Sequence, residues 1–412
     1  MDTILERCAG LDVHQATVTA CLRLPGPAGE RTQLIQTFGS STPDLLTLRD
    51  WLGAHGVTHV ALESTGGSWK PVSYGLEEAC TLLRVNAAPM RNVPGRKTDV
   101  ADCAWLAQLL ECGLLRGSFV PPAPIRELRD LTRYRKALVQ DRTREANRLH
   151  KVLEDAGIKL ATVATNILGV SGRAMLAALV AGTTDAAVLA DLARGRLRAK
   201  LPALRQALTG RFRGHHAFLV SQLLAHLAYL DEAMATLGEA IEAQLAPFAA
   251  AVARLRTIPG VEQRTAEVLV AEIGVDMARF PSAGHLVSWA GLCPGNHESA
   301  GKRKRGTTRR GCKWLRIALI EAAQAAVRTR DCALGARYRR VMRHRGHKKA
   351  IVAVAHAILE IAYHLLARGT TYQELGAAYF DRRDQERAAR RYVRLLEQLG
   401  HRVTLEPIPL AA

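Results

Sequence analysis

CAGLDVH (8–14), TVTACLRL (17–24) and RTQLIQTFG (31–39) stand close together near the N-terminus, and the reading of these three runs decides the fold. They are short, rich in β-formers and separated by turn residues, which predicts three strands linked as hairpins. Outward from them, Thr42-Pro43-Asp44 opens a helical stretch to about Ala54, with Leu45, Leu46, Leu48 and Leu52 on or near one face. HVALES (59–64) reads as a buried strand. A helix follows around 70–80, then a strand near 81–87, then a helix from near Thr98 to about Leu115.

Three strands, then helix, strand, helix, strand, helix, is the order of an RNase H-like α/β domain. Pro121, Pro122 and Pro124 punctuate its end. Beyond them, Leu128, Leu131, Leu138, Leu149, Val152 and Ala156 recur at helical intervals with no Gly or Pro from Arg126 to Ala156. This predicts a long helix, one half of an antiparallel coiled coil with residues 217–255 as its return arm. Nine basic residues between Arg126 and Lys151 read as its solvated face, or as a face that lies along a nucleic-acid backbone. The Ala/Leu-rich stretch between the arms is helical. RTIPGVEQRTAEVLVAEIG (256–274) places Pro259-Gly260 between apolar helical segments, the pattern either of a helix-hairpin-helix that holds DNA phosphates without reading bases or of a plain helical hairpin.

Lys+Arg 57 against Asp+Glu 38 gives a net charge of +19, the balance of a chain that meets a polyanion. The N-terminal MDTILERCAG lacks the cationic and apolar segments of a secretory signal. The most apolar window, 350–367, contains His356, Glu360 and His364, which argues against a membrane span. Nucleic acid is therefore the expected partner. The eight cysteines (8, 21, 80, 103, 112, 293, 312 and 332) form no C-x-x-C pair, so they read as free thiols of a reducing cytoplasm. Two basic runs, KRKRGTTRRGCKWLR (302–316) and RYRRVMRHRGHKK (337–349), lie close in sequence and together suggest a phosphate-binding face. Trp289 and Trp314 flank the same region and are expected in the core. His356, Glu360 and His364 read as a polar stripe rather than a zinc site.

Asp12 is the one polar residue of GLDV, and Glu63 ends the apolar run VALE. A carboxylate inside a strand is costly unless it is exposed at the sheet's edge or holds a cation. Asp99 and Asp102, at i and i+3 in TDVADC, share a helix face. Four oxygen donors at the end of a sheet suit Mg²⁺. Two such ions about 3.5–4 Å apart activate an attacking oxygen and stabilise the leaving one in phosphodiester cleavage. A helix start made acidic to suit its dipole, capped by Thr98, would explain Asp99 but neither Asp12 nor Glu63.

With these residues in view, the sequence resembles the insertion-sequence one-ten family of transposases, the RuvC-like DEDD or bridge-RNA recombinases, over nearly its whole length. The N-terminal blocks are GLDVH (10–14), ALESTGGSWKP (61–71) and GRKTDVADCAWLA (95–107). The C-terminal blocks are IPGVEQRTAEVLVAEIG (258–274), FPSAGHLVSWAGLCP (280–294) and ESAGKRKRGTTRRGCKWLR (298–316). The resemblance implies that Asp12, Glu63, Asp99 and Asp102 hold Mg²⁺ (or Mn²⁺) and that Ser299 is the catalytic serine. Ser64 and Thr65 are poorer candidates, belonging to the metal-domain motif. The family commonly has Gly directly after the serine, whereas this chain has Ala300 and then Gly301. The cations Lys302, Arg303, Lys304, Arg305, Arg309, Arg310, Lys313 and Arg316 are the candidate phosphate contacts.

The expected organisation is a DEDD domain over 1–120, a helical coiled-coil region over 121–250, a C-terminal transposase domain with the serine over 251–375 and a helical tail over 376–412. The resemblance also implies a cytoplasmic homo-oligomer, dimer or tetramer, acting on donor and target DNA with an element-encoded guide RNA and no membrane. A serine ester to DNA conserves the bond energy, so strands rejoin without ATP. A metal-only junction nuclease and a non-catalytic nucleic-acid-binding scaffold are the rival readings.

Overall fold

The computed structural model describes residues 3–27, 30–63, 67–85, 99–115, 117–295, 298–299, 301–303 and 307–405. The chain forms two compact units, 1–120 and 121–412.

The first unit is a five-stranded mixed sheet with helices on both faces. Strands β1 (Cys8–Val13), β2 (Thr17–Pro25) and β3 (Arg31–Gly39) run antiparallel as consecutive hairpins. Helix α1 (Thr42–Ala54), β4 (His59–Glu63), α2 (Trp69–Leu76), β5 (Thr81–Val85) and α3 (Asp99–Glu111) follow. The spatial order is β3-β2-β1-β4-β5, with β4 parallel to both β1 and β5.

Alternation along β1 and β4 explains the layers, because successive side chains face opposite sides of a sheet. Leu11, Leu22 and Leu62 point to one face and pack with Leu45, Leu48 and Leu52 of α1 and Leu76 of α2. Cys8, Ala61 and Val85 point to the other, where Leu106 and Leu110 of α3 cover them. Gly10 lets α3 come close: a Cβ there would stand 2.2 Å from the carbonyl oxygen of Cys103 and 2.5 Å from the nitrogen of Ala107. The far end of α3 is clamped to the sheet as well. Glu111, 2% exposed, accepts from Arg23 Nε at 2.5 Å and pairs with Arg31.

The second unit is mostly helical. Helix α4 (Ala123–Asp155) leads out to four short helices, α5 (Leu160–Val163), α6 (Val170–Val180), α7 (Ala186–Asp191) and α8 (Leu201–Leu208). These share a core with the end of α4, built on residues such as Leu153, Leu160, Met175, Leu189 and Leu204. Helix α9 (Gly214–Leu245) returns beside α4, and cross-pairs fix the two as antiparallel. Arg142 meets Asp231 at 2.5 Å, Glu145 lies 3.6 Å from His226, and Asp155 lies 3.2 Å from His216. The spacing predicts a return arm that reaches residue 255. It stops at Leu245, where Ala246-Pro247-Phe248 forms a 3₁₀ turn, because a proline cannot continue the hydrogen-bond ladder.

Helices α10 (Ala249–Arg256), α11 (Gln263–Ile273) and α12 (Ala283–Trp289) come next, then a two-stranded ribbon of β6 (Glu298–Ser299) and β7 (Lys302–Arg303). Helices α13 (Lys313–Ala326), α14 (Ala333–Arg345), α15 (His347–Arg368) and α16 (Tyr379–Gln398) complete the unit. Helix α15 is long and apolar enough to cross a membrane, yet nine of its residues, from Ala350 to Leu365, are buried within the unit. All eight cysteines are free.

The expectation of a solvated basic face on α4 fails at three positions. Arg129 and Arg133 converge on Glu272 of α11, which is 1% exposed, and Arg135 Nη2 pairs with Glu267 at 2.6 Å. Arg133 donates through Nε at 2.7 Å and Nη2 at 2.8 Å, a bidentate pair, while Arg129 also donates to the carbonyl oxygens of Ala271 and Glu272. A cation among apolar positions is tolerated where an acid from another helix meets it, which spacing along α4 does not disclose. Glu272→Gln leaves two guanidiniums without their buried counter-charge, so it is expected to cost about 3–5 kcal/mol of stability. Urea denaturation checks this through a lower midpoint at unchanged slope.

Candidate active site and nucleic-acid interface

The parallel register of β1 and β4 brings two of the candidate acids together. Leu11 pairs with Leu62, so Asp12 and Glu63 are the next residues at adjoining strand ends. Leu11 and Leu62 face the α1 side, so alternation turns Asp12 and Glu63 to the side that α3 covers. Asp12 is 17% exposed, half sunk at the sheet's end. Its carboxylate is near α3: the Cys103 thiol is pushed up by its hydrogen bond with Cys21 and by burial, and Asp12 adds to the rise.

Asp102 precedes Cys103 on α3 and is exposed. Asp99 is the helix's first residue, one turn before Cys103, and its side chain lies outside the described residues. Ser64 and Thr65 also lie outside them. His14, to which the sequence reading gave no role, places Nε2 3.2 Å from Asp12 Oδ2. Its spacing of two from Asp12 was the available signal, since residues two apart share a strand face.

The donors of this set are carboxylate oxygens, which fit a hard divalent cation better than a soft one. A second group also has ligand-like composition. Asp155, His215 and His216 hold their ligand atoms within 4.8 Å of one another at the α4–α9 end of the second unit. There the His216 ring is already engaged on both sides. Nδ1 accepts from the Arg213 N–H at 3.1 Å, so Nε2 carries the hydrogen facing Asp155 Oδ2 at 3.2 Å. His216 thereby caps the start of α9, with Asp155 behind its ring.

Ser299 stands at the tip of the β6–β7 ribbon, opposite Lys302, with Glu298 opposite Arg303. Gly301, at φ +71°, supplies the left-handed residue that a two-residue hairpin loop needs, one position later than the family's usual glycine. The foot of the ribbon is tied by the Pro294–Thr308 bridge and by Gly295 N–H donating to Thr307 O at 2.8 Å. The side chains of Glu298, Ser299 and Arg303 lie outside the described residues, as do His297, Lys304 and Arg305 altogether. Lys302, Arg309, Arg310 and Lys313 are exposed, and Arg316 is half-buried. The second basic run is exposed from Arg339 to Lys349 apart from Val341, which is half-buried. Trp289, expected in the core, is half-buried and packs on Phe280 at 5.9 Å between centroids. On α15, His356 Nδ1 lies 3.2 Å from Glu360 Oε2.

Comparison with known proteins gives a uniform result. A DEDD transposase family model of the IS110 type matches residues 9–158, which span all four candidate acids. A model described as transposase of the IS116/IS110/IS902 family matches residues 252–339, which span Ser299 and the first basic run. The chain is 28% identical over 326 residues to a putative transposase, y4pF/y4sB, of Sinorhizobium fredii, covering 77% of this chain and 75% of the relative. It is 26% identical over 375 residues to an uncharacterized 43.6 kDa protein of insertion element IS110 from Streptomyces coelicolor, covering 84% and 91%. It is also 32% identical over 124 residues to the transposase for insertion sequence element IS1111A of Coxiella burnetii, covering 29% and 34%.

Proposed function

The chain belongs to the IS110 family of transposases, enzymes that cleave and transfer DNA strands, and on that premise we propose a site-specific recombinase that moves its own insertion sequence. The N-terminal unit is an RNase H-like domain whose Asp12, Glu63, Asp99 and Asp102 hold Mg²⁺. The observation that carries this reading is the β1–β4 register, which sets Asp12 and Glu63 side by side on the face covered by the helix of the other two acids. When bound, the metal supplies Lewis-acid stabilisation of charge on the phosphodiester oxygens. His14 orients the Asp12 carboxylate from outside.

Ser299 is the nucleophile: its oxygen forms a bond to the scissile phosphorus, one DNA oxygen leaves, and the reverse displacement by a second strand's hydroxyl rejoins DNA and frees the serine. No bond energy is lost, so no ATP is used. The cations from Lys302 to Arg316 hold the backbone and stabilise negative charge developing on the phosphate. Neutralising Arg303, Lys304, Arg305, Arg309 and Arg310 should weaken binding to all duplex sequences alike. Each lost phosphate contact should flatten the log–log salt dependence by about 0.9. An unchanged slope in the variant would mark this run as a solvated surface.

Selection of target and donor DNA falls to an RNA from the same element, in a homo-oligomer. The exposed cations support backbone contact, which carries no sequence information of its own and leaves the choice of sequence to base pairing. Purified protein mixed with donor and target DNA should recombine nothing until the element's transcript is added. Sequence-specific recombination by RNase-treated protein would contradict RNA guidance while leaving the chemistry intact.

A further inference from the structure

A cavity of about 310 Å³ lies in the second unit where α4, α9, α11 and α13 meet. It is bordered by apolar Val139, Met234, Val268 and Ile317, by the indole of Trp314, and by more cations than acids. Trp314 is not enclosed: it is half-buried and lines open space. Lys313 Nζ stands 4.7 Å and Arg133 Cζ 6.0 Å from its ring centroid. At the mouth, Lys136 Nζ donates to Glu321 Oε1 at 2.8 Å, a donor and an acceptor side by side. Arg264, also on the lining, is 66% exposed. Arg135 borders the cavity too, only 7% exposed, and its Nη1 meets no acceptor among the described residues.

These features have one chemistry in common. Apolar walls and an indole accept a flat ring, and a paired donor and acceptor match the polar edge of one. An orphan guanidinium N–H calls for an acceptor oxygen, and an exposed arginine suits a phosphate beside it. The volume is at the small end of ligand pockets, enough for a single ring system and not for an extended ligand. We infer that this cavity receives one unpaired nucleobase, stacked on Trp314, from a strand whose phosphate is held at the rim by Arg264. The exposed Lys313 ammonium pairs with no acid among the described residues, so a base can displace it from the indole. The inference rests on the nucleic-acid reading above and adds a place where strands are held by a base rather than by backbone alone.

The test uses the full chain with short single strands of DNA and of RNA, each carrying one 2-aminopurine, and a duplex of equal length. Wild type should change the 2-aminopurine fluorescence of the strand it captures, and the DNA and RNA arms identify which strand that is. Trp314→Leu should abolish the change and weaken single-strand binding by about 5- to 150-fold, the effect of losing one base–aromatic stack. Trp314→Phe should restore most of it, and duplex binding should be nearly unmoved in both. Thr265→Phe, which fills the cavity from α11 and leaves Trp314 in place, should give the same loss and serves if Trp314→Leu unfolds. If Thr265→Phe and Trp314→Leu bind both strands like wild type while duplex binding persists, the cavity is a packing gap and the recombinase reading stands. If wild type binds neither strands nor duplex, both fall.

Discussion

Ser299→Ala is expected to bind DNA as the wild type does and to form no covalent protein–DNA product. The loss should be complete, because in the proposed chemistry the serine oxygen is the atom that joins the phosphate. Ser299 pairs with Lys302 across a two-residue loop closed by Gly301, and its foot is tied at Pro294 and Thr308. That hairpin is held by backbone contacts, so removing one oxygen leaves it standing. An ordinary serine hydroxyl is a weak nucleophile at neutral pH and needs a base or a metal. Ser299→Cys should therefore keep at most a trace of activity. The reaction is trapped on a nicked or mismatched substrate, and the product is a band that survives denaturant and is released by protease. If Ser299→Ala still yields that band or still joins strands, Ser299 is a turn residue and the metal-only nuclease becomes the better account.

Asp12→Asn and Asp102→Asn are each expected to abolish DNA cleavage without unfolding the protein. Asp12 and Glu63 end adjoining strands, so their charges repel in the absence of a cation, and neutralising one relieves that repulsion. The thermal midpoint of Asp12→Asn should then equal or exceed that of wild type while cleavage falls to background. Normal cleavage by Asp12→Asn in the presence of EDTA would remove the metal site from the account. His14→Ala, which frees one Asp12 oxygen, should reduce activity without abolishing it if His14 only orients the carboxylate.

Much of the first unit was legible because its signals are local. Period-two alternation in CAGLDVH and HVALE specifies which side chains enter the core, and the turn residues between runs specify the hairpins. Asp12 and Glu63 could be singled out because a carboxylate breaks an otherwise apolar strand. The register that sets them side by side was not legible, since it lies in the pairing of β1 with β4, strands separated in sequence by β2, β3 and α1. In the second unit the long helices follow from their apolar spacing, but the partners of Arg129, Arg133 and Arg135 are supplied by Glu267 and Glu272, more than a hundred positions away. An arginine on a helix looks solvated until the helix it meets is known. The same holds for Trp314, whose surroundings come from four helices, and for His216, whose partner Asp155 closes the far end of α4.

The most direct measurement is the fate of the cut strands when protein, element transcript, donor and target DNA are combined without ATP. Donor strands joined to target strands are expected, with a protein-linked intermediate preceding them, and both should be lost in Ser299→Ala and Asp12→Asn. Free ends accumulating without joined product, at a rate that Ser299→Ala does not change, would contradict the recombinase reading.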